Sequence, residues 1–227
     1  MEQGSIKVGR DRLFKLLREE NLLVKRKRRH IVTSDSDHSL TVYDNLLKAY
    51  EMSHAEEIFV SDVTYLRTDE GFCYLAIVAD AYSKKIMGKF LSRDMQKTLV
   101  LKALVEALRN RQYNGRLIHH SDQGSVYCSK SYINALKITN TLISMSGKGR
   151  AWENAYAERI IGILKGELGL DQKFETYNDA YEAVEIAVLK YNTIRPHLSC
   201  GYLTPQQAHE KGKDLINCWK KKNSKKV

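Results

Sequence analysis

Three carboxylates sit where hydrophobic burial would ordinarily exclude a charge. Asp62 lies inside the apolar run Ile58-Phe59-Val60-Ser61-Asp62-Val63-Thr64-Tyr65-Leu66, and Asp122 closes a second run that starts at Leu117. Glu158 follows in Asn154-Ala155-Tyr156-Ala157-Glu158-Arg159, where the apolar spacing is helical, with 35 residues between it and Asp122. An ionised acid in such a place is costly unless it is paired or holds a cation. Three of them read as a site for a hard divalent ion, because carboxylate oxygens suit Mg²⁺ or Mn²⁺.

Around these acids the pattern alternates between strand and helix. Residues 57–67, 72–81 and 85–92 read as three strands joined by turn residues at Asp69-Glu70-Gly71 and Ser83-Lys84, a meander. Residues 96–111 place Leu99, Leu101, Ala103, Leu104 and Leu108 at helical spacing. A strand at 116–121, a helix near 129–138 and a strand near 140–145 follow, so the order is α/β. The loop 145–153 sets Gly147 and Gly149 around Lys148 and leads to Arg150, a combination suited to close approach to phosphates. In the next helix, Asn154, Glu158 and Lys165 differ by four and seven and fall on one stripe. A last amphipathic helix spans about 177–194 and is ended by Pro196. His119 and His120 precede Asp122. Neighbours on a strand point to opposite faces, so at most one can reach the acids, and both are expected to pack and hydrogen-bond. Asp80, which ends the second strand, is a rival acid, and Asp94 reads as a turn residue.

The chain has 227 residues, 43% of them hydrophobic, enough for one sizeable core and an appendage. Its formal net charge of +10 favours a polyanionic partner. The cations are unevenly placed: Lys25, Arg26, Lys27, Arg28 and Arg29 are adjacent, and the stretch 211–227 is a second basic segment. Such runs repel themselves unless phosphates or counterions lie close. Residues 10–24 read as an amphipathic helix leading into the first run, and 31–54 as a polar linker. Cys73, Cys128, Cys200 and Cys218 form no CxxC pair and are read as reduced thiols. No run approaches the length of a membrane span and no apolar signal region opens the chain, which points to a cytoplasmic protein that meets no membrane.

Four blocks carry a family likeness: SDVTYL at 61–66, HHSDQGSVY at 119–127, SMSGKGRAWENAYAE at 144–158 and YNTIRPHLSCGYLTP at 191–205. In this order and spacing the chain resembles the DDE transposases of bacterial insertion sequences. It is most similar to the second-frame product (OrfB) of the insertion sequence three family, which has a retroviral-integrase-type catalytic core. The likeness runs from about residue 10 to about residue 210.

The resemblance implies a ribonuclease-H-like fold: a mixed five-stranded sheet flanked by helices, preceded by a short helical basic N-terminal segment. It divides the chain into a truncated DNA-binding segment at 1–30, a linker at 31–54, a catalytic core at 55–210 and a basic tail at 211–227. It makes Asp62, Asp122 and Glu158 both the catalytic residues and the ligands of two Mg²⁺ or Mn²⁺ ions, roughly 4 Å apart in such sites. It also implies metal-dependent cleavage at element ends by water, then attack of the freed 3′-hydroxyl on a second phosphodiester. DNA contacts are expected from Lys25 to Arg29, Lys148, Arg150, Asn154 and Lys165. The implied partners are double-stranded DNA, further copies of the chain on DNA, and an upstream-frame helix-turn-helix product or its frameshift fusion, which would place the protein on the nucleoid. Phe59 stands where the family usually has Trp, and Arg150 where it often has a polar residue. A structure-selective nuclease on the same fold and an inactive DNA-binding remnant are the alternatives.

Overall fold

A computed structural model describes residues 8–23 and 38–212. The run Lys25 to Arg29, Cys218 and the tail beyond residue 212 lie outside the described residues. Two compact units result. In the first, helix α1 (Arg10–Glu19) puts Asp11 in its first turn and Arg18 in its last, charges that complement the helix dipole. It stops short of the expected residue 24, because Asn21 takes a left-handed conformation and the Leu22 N–H turns back to the Leu17 carbonyl.

The second unit is built on one mixed sheet. Strands β1 (Ile58–Thr68), β2 (Gly71–Asp80) and β3 (Ile86–Ser92) form the expected antiparallel meander. On the other side of β1, β4 (Ile118–Ser121) and β5 (Leu142–Met145) run parallel to it, giving the order β3-β2-β1-β4-β5. A two-residue strand, β6 (Lys173–Phe174), pairs with the far end of β1 and makes the sheet six-stranded rather than five. Two residues carry too little periodicity to be read from sequence.

Helices cover both faces. On one, α2 (Lys97–Asn110) and α3 (Lys130–Ile138) pack over Phe59, Ala76, Val78 and Met87. On the other, α4 (Ala155–Gly166) and α5 (Tyr177–Thr193) pack over Ile58, Val60, Leu66, Leu75 and Ile77. β2 is apolar on both faces because it is central, as its unbroken hydrophobic run required. Phe59 is fully buried, so the aromatic side chain serves the core. At Gly88 a Cβ would stand 2.1 Å from the Ala103 carbonyl oxygen, so glycine lets α2 seat directly on β3.

β3 is a sheet edge, and side chains from both helix layers occupy its free backbone groups. The Asn192 amide accepts from the Ile86 N–H and donates to its carbonyl, Asn110 donates to the Met87 carbonyl, and Glu106 accepts from the Lys89 N–H. The segment 191–205 works as a clasp. Arg195 grips Glu167 past the end of α4 through two nitrogens, and His197 and Leu203 pair as a bridge. Thr204 and Gln207 form a capping box at the start of α6 (Pro205–Glu210).

The polar stretch 38–54 does not hang free of this core. The His38 ring pairs with the Gln123 carbonyl, the Met145 N–H donates to the Asp44 carbonyl, and the Leu46 N–H donates to the Ser144 hydroxyl. Leu47, Tyr50 and Met52 also pack against one side of the core and Tyr43 against the other, but they follow neither a strand nor a helix period, so hydrophobic patterning did not reveal the docking.

Candidate catalytic site

The parallel register of β1 and β4 assembles the first two acids. Val60 pairs with His120, and Asp62 and Asp122 each stand two residues further along. Side chains alternate, so both acids fall on the face that carries Ile58, Val60 and Ile118, the face covered by α4 and α5. The Asp62 Oδ1 accepts from the Val63 N–H at 2.8 Å, and the Asp122 Oδ1 accepts from the Gly124 N–H at 2.9 Å. The second contact is a local Asx-type turn that fixes the chain as it leaves β4.

Glu158 comes to the site on the first turn of α4. The preceding residues form a short 3-10 turn, Ala151–Asn154, so Asn154 lies outside the α-helical stripe that spacing alone suggested. Asn154 is buried, and its Nδ2 donates to the Ser61 carbonyl at 3.1 Å, next to Asp62. This bond ties the start of α4 to β1 and brings Glu158, itself exposed, within electrostatic range of Asp62.

Burial, the nearby Asp122 and, more weakly, Glu158 push the Asp62 carboxyl up to about 8, against its single N–H donor from Val63. Burial also raises Asp122. The donors are all carboxylate oxygens in a region of excess negative charge, which fits a hard cation. Among the described residues no three His, Cys, Asp or Glu side chains converge tightly enough to hold an ion as they stand.

The two histidines divide as strand alternation requires. The His119 ring, on the α2 and α3 face, pairs with the Ser61 hydroxyl at 2.8 Å and the Tyr132 hydroxyl at 2.9 Å. His120 Nδ1 pairs with the Ser144 hydroxyl at 2.8 Å. Burial lowers both rings, to about 3 and about 4, so both are neutral at physiological pH. Both are packing residues beside Asp122. Tyr127, buried beneath the acids, feels both Asp62 and Asp122.

The rival acids lie apart from this cluster. Asp80 is fully buried and accepts from the backbone N–H groups of Glu56 and Ser83 and from the Ser83 hydroxyl, with the His209 ring 3.6 Å away. Asp94 is exposed in a turn.

The expected DNA contacts are placed differently from one another. Lys148 and Arg150 are exposed on the glycine loop, and Trp152 is 69% exposed just after them. Lys165 lies with its Nζ 4.4 Å from the centre of the Tyr65 ring, a cation–π contact. Glu153 is a residue that the sequence did not single out. Its Oε2 accepts from the Gly147 N–H at 2.8 Å and the Asn45 Nδ2 at 2.9 Å, and Lys48 and Arg150 face its Oε1 at 3.6 and 3.4 Å. These donors, the Gly147 N–H first, hold its carboxyl down at about 2. Only a carboxylate among charged neighbours marked it in the sequence, and its partners come from a distant segment.

Comparisons with known proteins agree with this geometry. Residues 52–151 match the family model described as an integrase core domain, and residues 139–205 match a second model of the same description. The chain is 36% identical over 213 residues to the insertion element IS600 uncharacterized 31 kDa protein of Shigella sonnei, covering 93% of this chain and 78% of that one. It is also 36% identical over 198 residues to the transposase InsF for insertion sequence IS3A of Escherichia coli, covering 86% and 68%. Among solved structures, the HTLV-2 integrase catalytic core domain in complex with magnesium superposes with a TM-score of 0.54 at 18% identity, covering 68% of this chain and 96% of that one. The simian T-cell lymphotropic virus intasome gives 0.61 at 15% identity over 86% and 67%. Identities this low speak for the shared ribonuclease-H-like fold. The relatives and the integrase-core matches together place the chain in the transposases of the insertion sequence three family, as a polynucleotidyl transferase of the DDE type.

Proposed function

We propose that Asp62, Asp122 and Glu158 are the catalytic residues, and that together they hold one or two divalent ions, Mg²⁺ or Mn²⁺, for cleavage and strand transfer at insertion-sequence ends. The observation that carries this reading is the matched placement of Asp62 and Asp122 on parallel strands, with Glu158 near enough to help raise Asp62 to about 8. Such crowding of acids is unfavourable in isolation and is relieved by a cation. The related fold of an integrase core solved with magnesium supports the same choice of ion. When bound, the ions supply charge stabilisation to the attacking and leaving oxygens of an in-line displacement.

The chain's own residues do the rest. Asp62 sheds its proton as the site fills. Asn154 holds the start of α4 against β1 through the Ser61 carbonyl, which keeps Glu158 beside the two aspartates. Lys148 and Arg150, exposed on the loop ahead of Glu158, meet backbone phosphates, and Lys165 does so by leaving the Tyr65 ring.

Duplex DNA is the partner, bound chiefly by charge and by more than one copy of the chain. The basic run Lys25 to Arg29 supplies phosphate contacts, and preference for element ends comes from an upstream-frame product or fusion. The activity of a nicked-strand and strand-transfer assay with Mg²⁺ or Mn²⁺ tests the acids: Asp62→Asn, Asp122→Asn and Glu158→Gln are each expected to abolish it. Retained activity in one variant removes that residue from the site. A salt titration tests the run, since each phosphate deprived of its cation makes the log–log slope shallower by roughly 0.9. An unchanged slope after substitution of all five residues by Ala removes them from the interface.

A further inference from the structure

The glycine loop that leads to α4 is fastened from outside itself, and the fastener is Glu153. We propose that Glu153 is a positioning residue for Glu158, clamping the loop 147–150 to the docked segment 44–48 so that the start of α4 keeps one place over β1. The proposal rests on the reading of Glu158 as catalytic.

The contacts come from three pieces of chain. The Glu153 side chain is 10% exposed, and its two oxygens face the Gly147 N–H, the Asn45 amide, the Lys48 ammonium and the Arg150 guanidinium. Four donors converging on one group call for an acceptor with no hydrogens of its own, which a carboxylate is and an amide is not. The loop needs such a hold. Gly149 has φ of 72°, a left-handed conformation, and no atom lies within 4 Å of where its Cβ would stand, so the loop is open there. At its two ends the loop is tied to strands, by the Ser146 N–H to the Ser121 carbonyl and by Asn154 to the Ser61 carbonyl. Between those ends, the Glu153 carboxylate bonds the loop to the segment 44–48.

The segment on the other side of the clamp is itself anchored. Asn45 Oδ1 accepts from the Leu47 N–H, which orients the amide toward Glu153. The Leu46 N–H donates to the Ser144 hydroxyl, and that hydroxyl also meets His120, two residues before Asp122. A further anchor, His38 on the Gln123 carbonyl, lies one residue after Asp122. The clamp therefore references Glu158 to the same strand ends that carry the aspartates. Displacements of about 1 Å in a catalytic group can cost on the order of a hundredfold in rate.

The experiment compares the full-length Glu153→Gln, Asn45→Ala and Glu158→Gln chains. Glu153→Gln is expected to lower kcat for Mn²⁺-dependent strand cleavage by roughly tenfold to a hundredfold, with KM for duplex DNA within about twofold of wild type. Hydrogen exchange of the metal-free chain is expected to speed up at the Gly147 amide in Glu153→Gln and, to a lesser degree, in Asn45→Ala, while β1 and β4 stay protected. Combining Asn45→Ala with Glu153→Gln is expected to slow cleavage no further than Glu153→Gln alone. Unchanged exchange at Gly147, or a defect that lies in KM with kcat intact, overturns the proposal. The catalytic reading fails separately: it falls if Glu158→Gln cleaves at the wild-type rate, an outcome that leaves the exchange at Gly147 free to support or refute the clamp.

Discussion

Two clusters of acids meet this sheet, one at Asp80 and Glu56 and one at Asp62 and Asp122, and they are treated in opposite ways. Asp80 and Glu56 are surrounded by donors. Asp80 takes the Glu56 and Ser83 N–H groups and the Ser83 hydroxyl, Glu56 takes the Gln112 and Tyr113 N–H groups, and the His209 ring stands between them, 3.1 Å from Glu56. The hydrogen bonds from His209 and those N–H groups hold the Glu56 carboxyl below its ordinary value despite burial. Asp62 has one backbone donor and two acids for company, and is raised. Polar atoms beside it are also left over. Tyr127 Oη and Asn154 Oδ1 are buried without a protein partner. The satisfied cluster fastens α6 to the core. The unsatisfied one is unfavourable in isolation, and this cost is what the proposed catalytic role of Asp62 accounts for.

The largest expected effect breaks the two clusters apart by function. Asp62→Asn should lower strand cleavage by at least roughly a thousandfold while the protein stays folded, whereas Asp80→Asn should leave kcat within a few-fold among molecules that remain folded. Steady-state cleavage alongside circular dichroism checks both, and equal loss of activity in the two variants would erase the distinction. Next, Asp80→Asn should cost about 3 kcal/mol of stability, because it leaves buried donors without an ionised acceptor. Urea unfolding measures it.

Asp62→Asn should act the other way on stability. The folded carboxyl titrates near 8 against an ordinary value of 3.8, so the folded state keeps a proton that the unfolded chain has lost between those values. The contribution of Asp62 to stability without metal therefore falls as pH rises from about 4 to about 8 and then levels off, and it is read as the difference between the wild type and Asp62→Asn. Asp62→Asn should be the more stable protein at pH 9 by ~2 kcal/mol or more, with the gap closing toward pH 4. Added Mn²⁺ should shrink that gap by stabilising the wild type alone. Thermal melts over pH with and without the ion provide the test.

The smallest effect belongs to His209. Its hydrogen bonds to Asp80 and Glu56 raise it above 6.5, against burial and the nearby Lys85, which lower it. The stabilisation is complete below the unfolded value and is lost as pH climbs through the raised one. His209→Gln should then cost about 1 kcal/mol at pH 6 and little at pH 9, as read from paired melts. A pH-independent cost would mean that the ring works by shape alone.

Much of this contrast was legible in the residues, and its limits are physical. Asp62 stood out because an acid interrupts a strand-forming run, and strands β1 to β5 and helices α2 to α5 follow their hydrophobic periods closely, whereas the six-residue α6 was too short to read. Asp80 looked equally conspicuous in sequence. Its innocence depends on Ser83, Glu56 and His209, which meet it only in three dimensions. The fastening of 38–54 escaped notice for a related reason, since bonds such as His38 to Gln123 and Leu46 to Ser144 leave no period in the chain. Asn154 matched the helical stripe in number but not in conformation, because the chain enters α4 through a 3-10 turn that moves it inward.

The pairing of Val60 with His120 also decides where the gene can change length. A strand repeats every two residues, so one codon added or removed between Val60 and Asp62 would carry Asp62 to the α2 and α3 face, away from Asp122 and α4. The same change at residues 111–116, between α2 and β4, disturbs the Gln112 and Tyr113 N–H groups that serve Glu56 but leaves both acids on their side. Length variation between Val60 and Asp62 would therefore separate the two aspartates, and length variation in that connection would not.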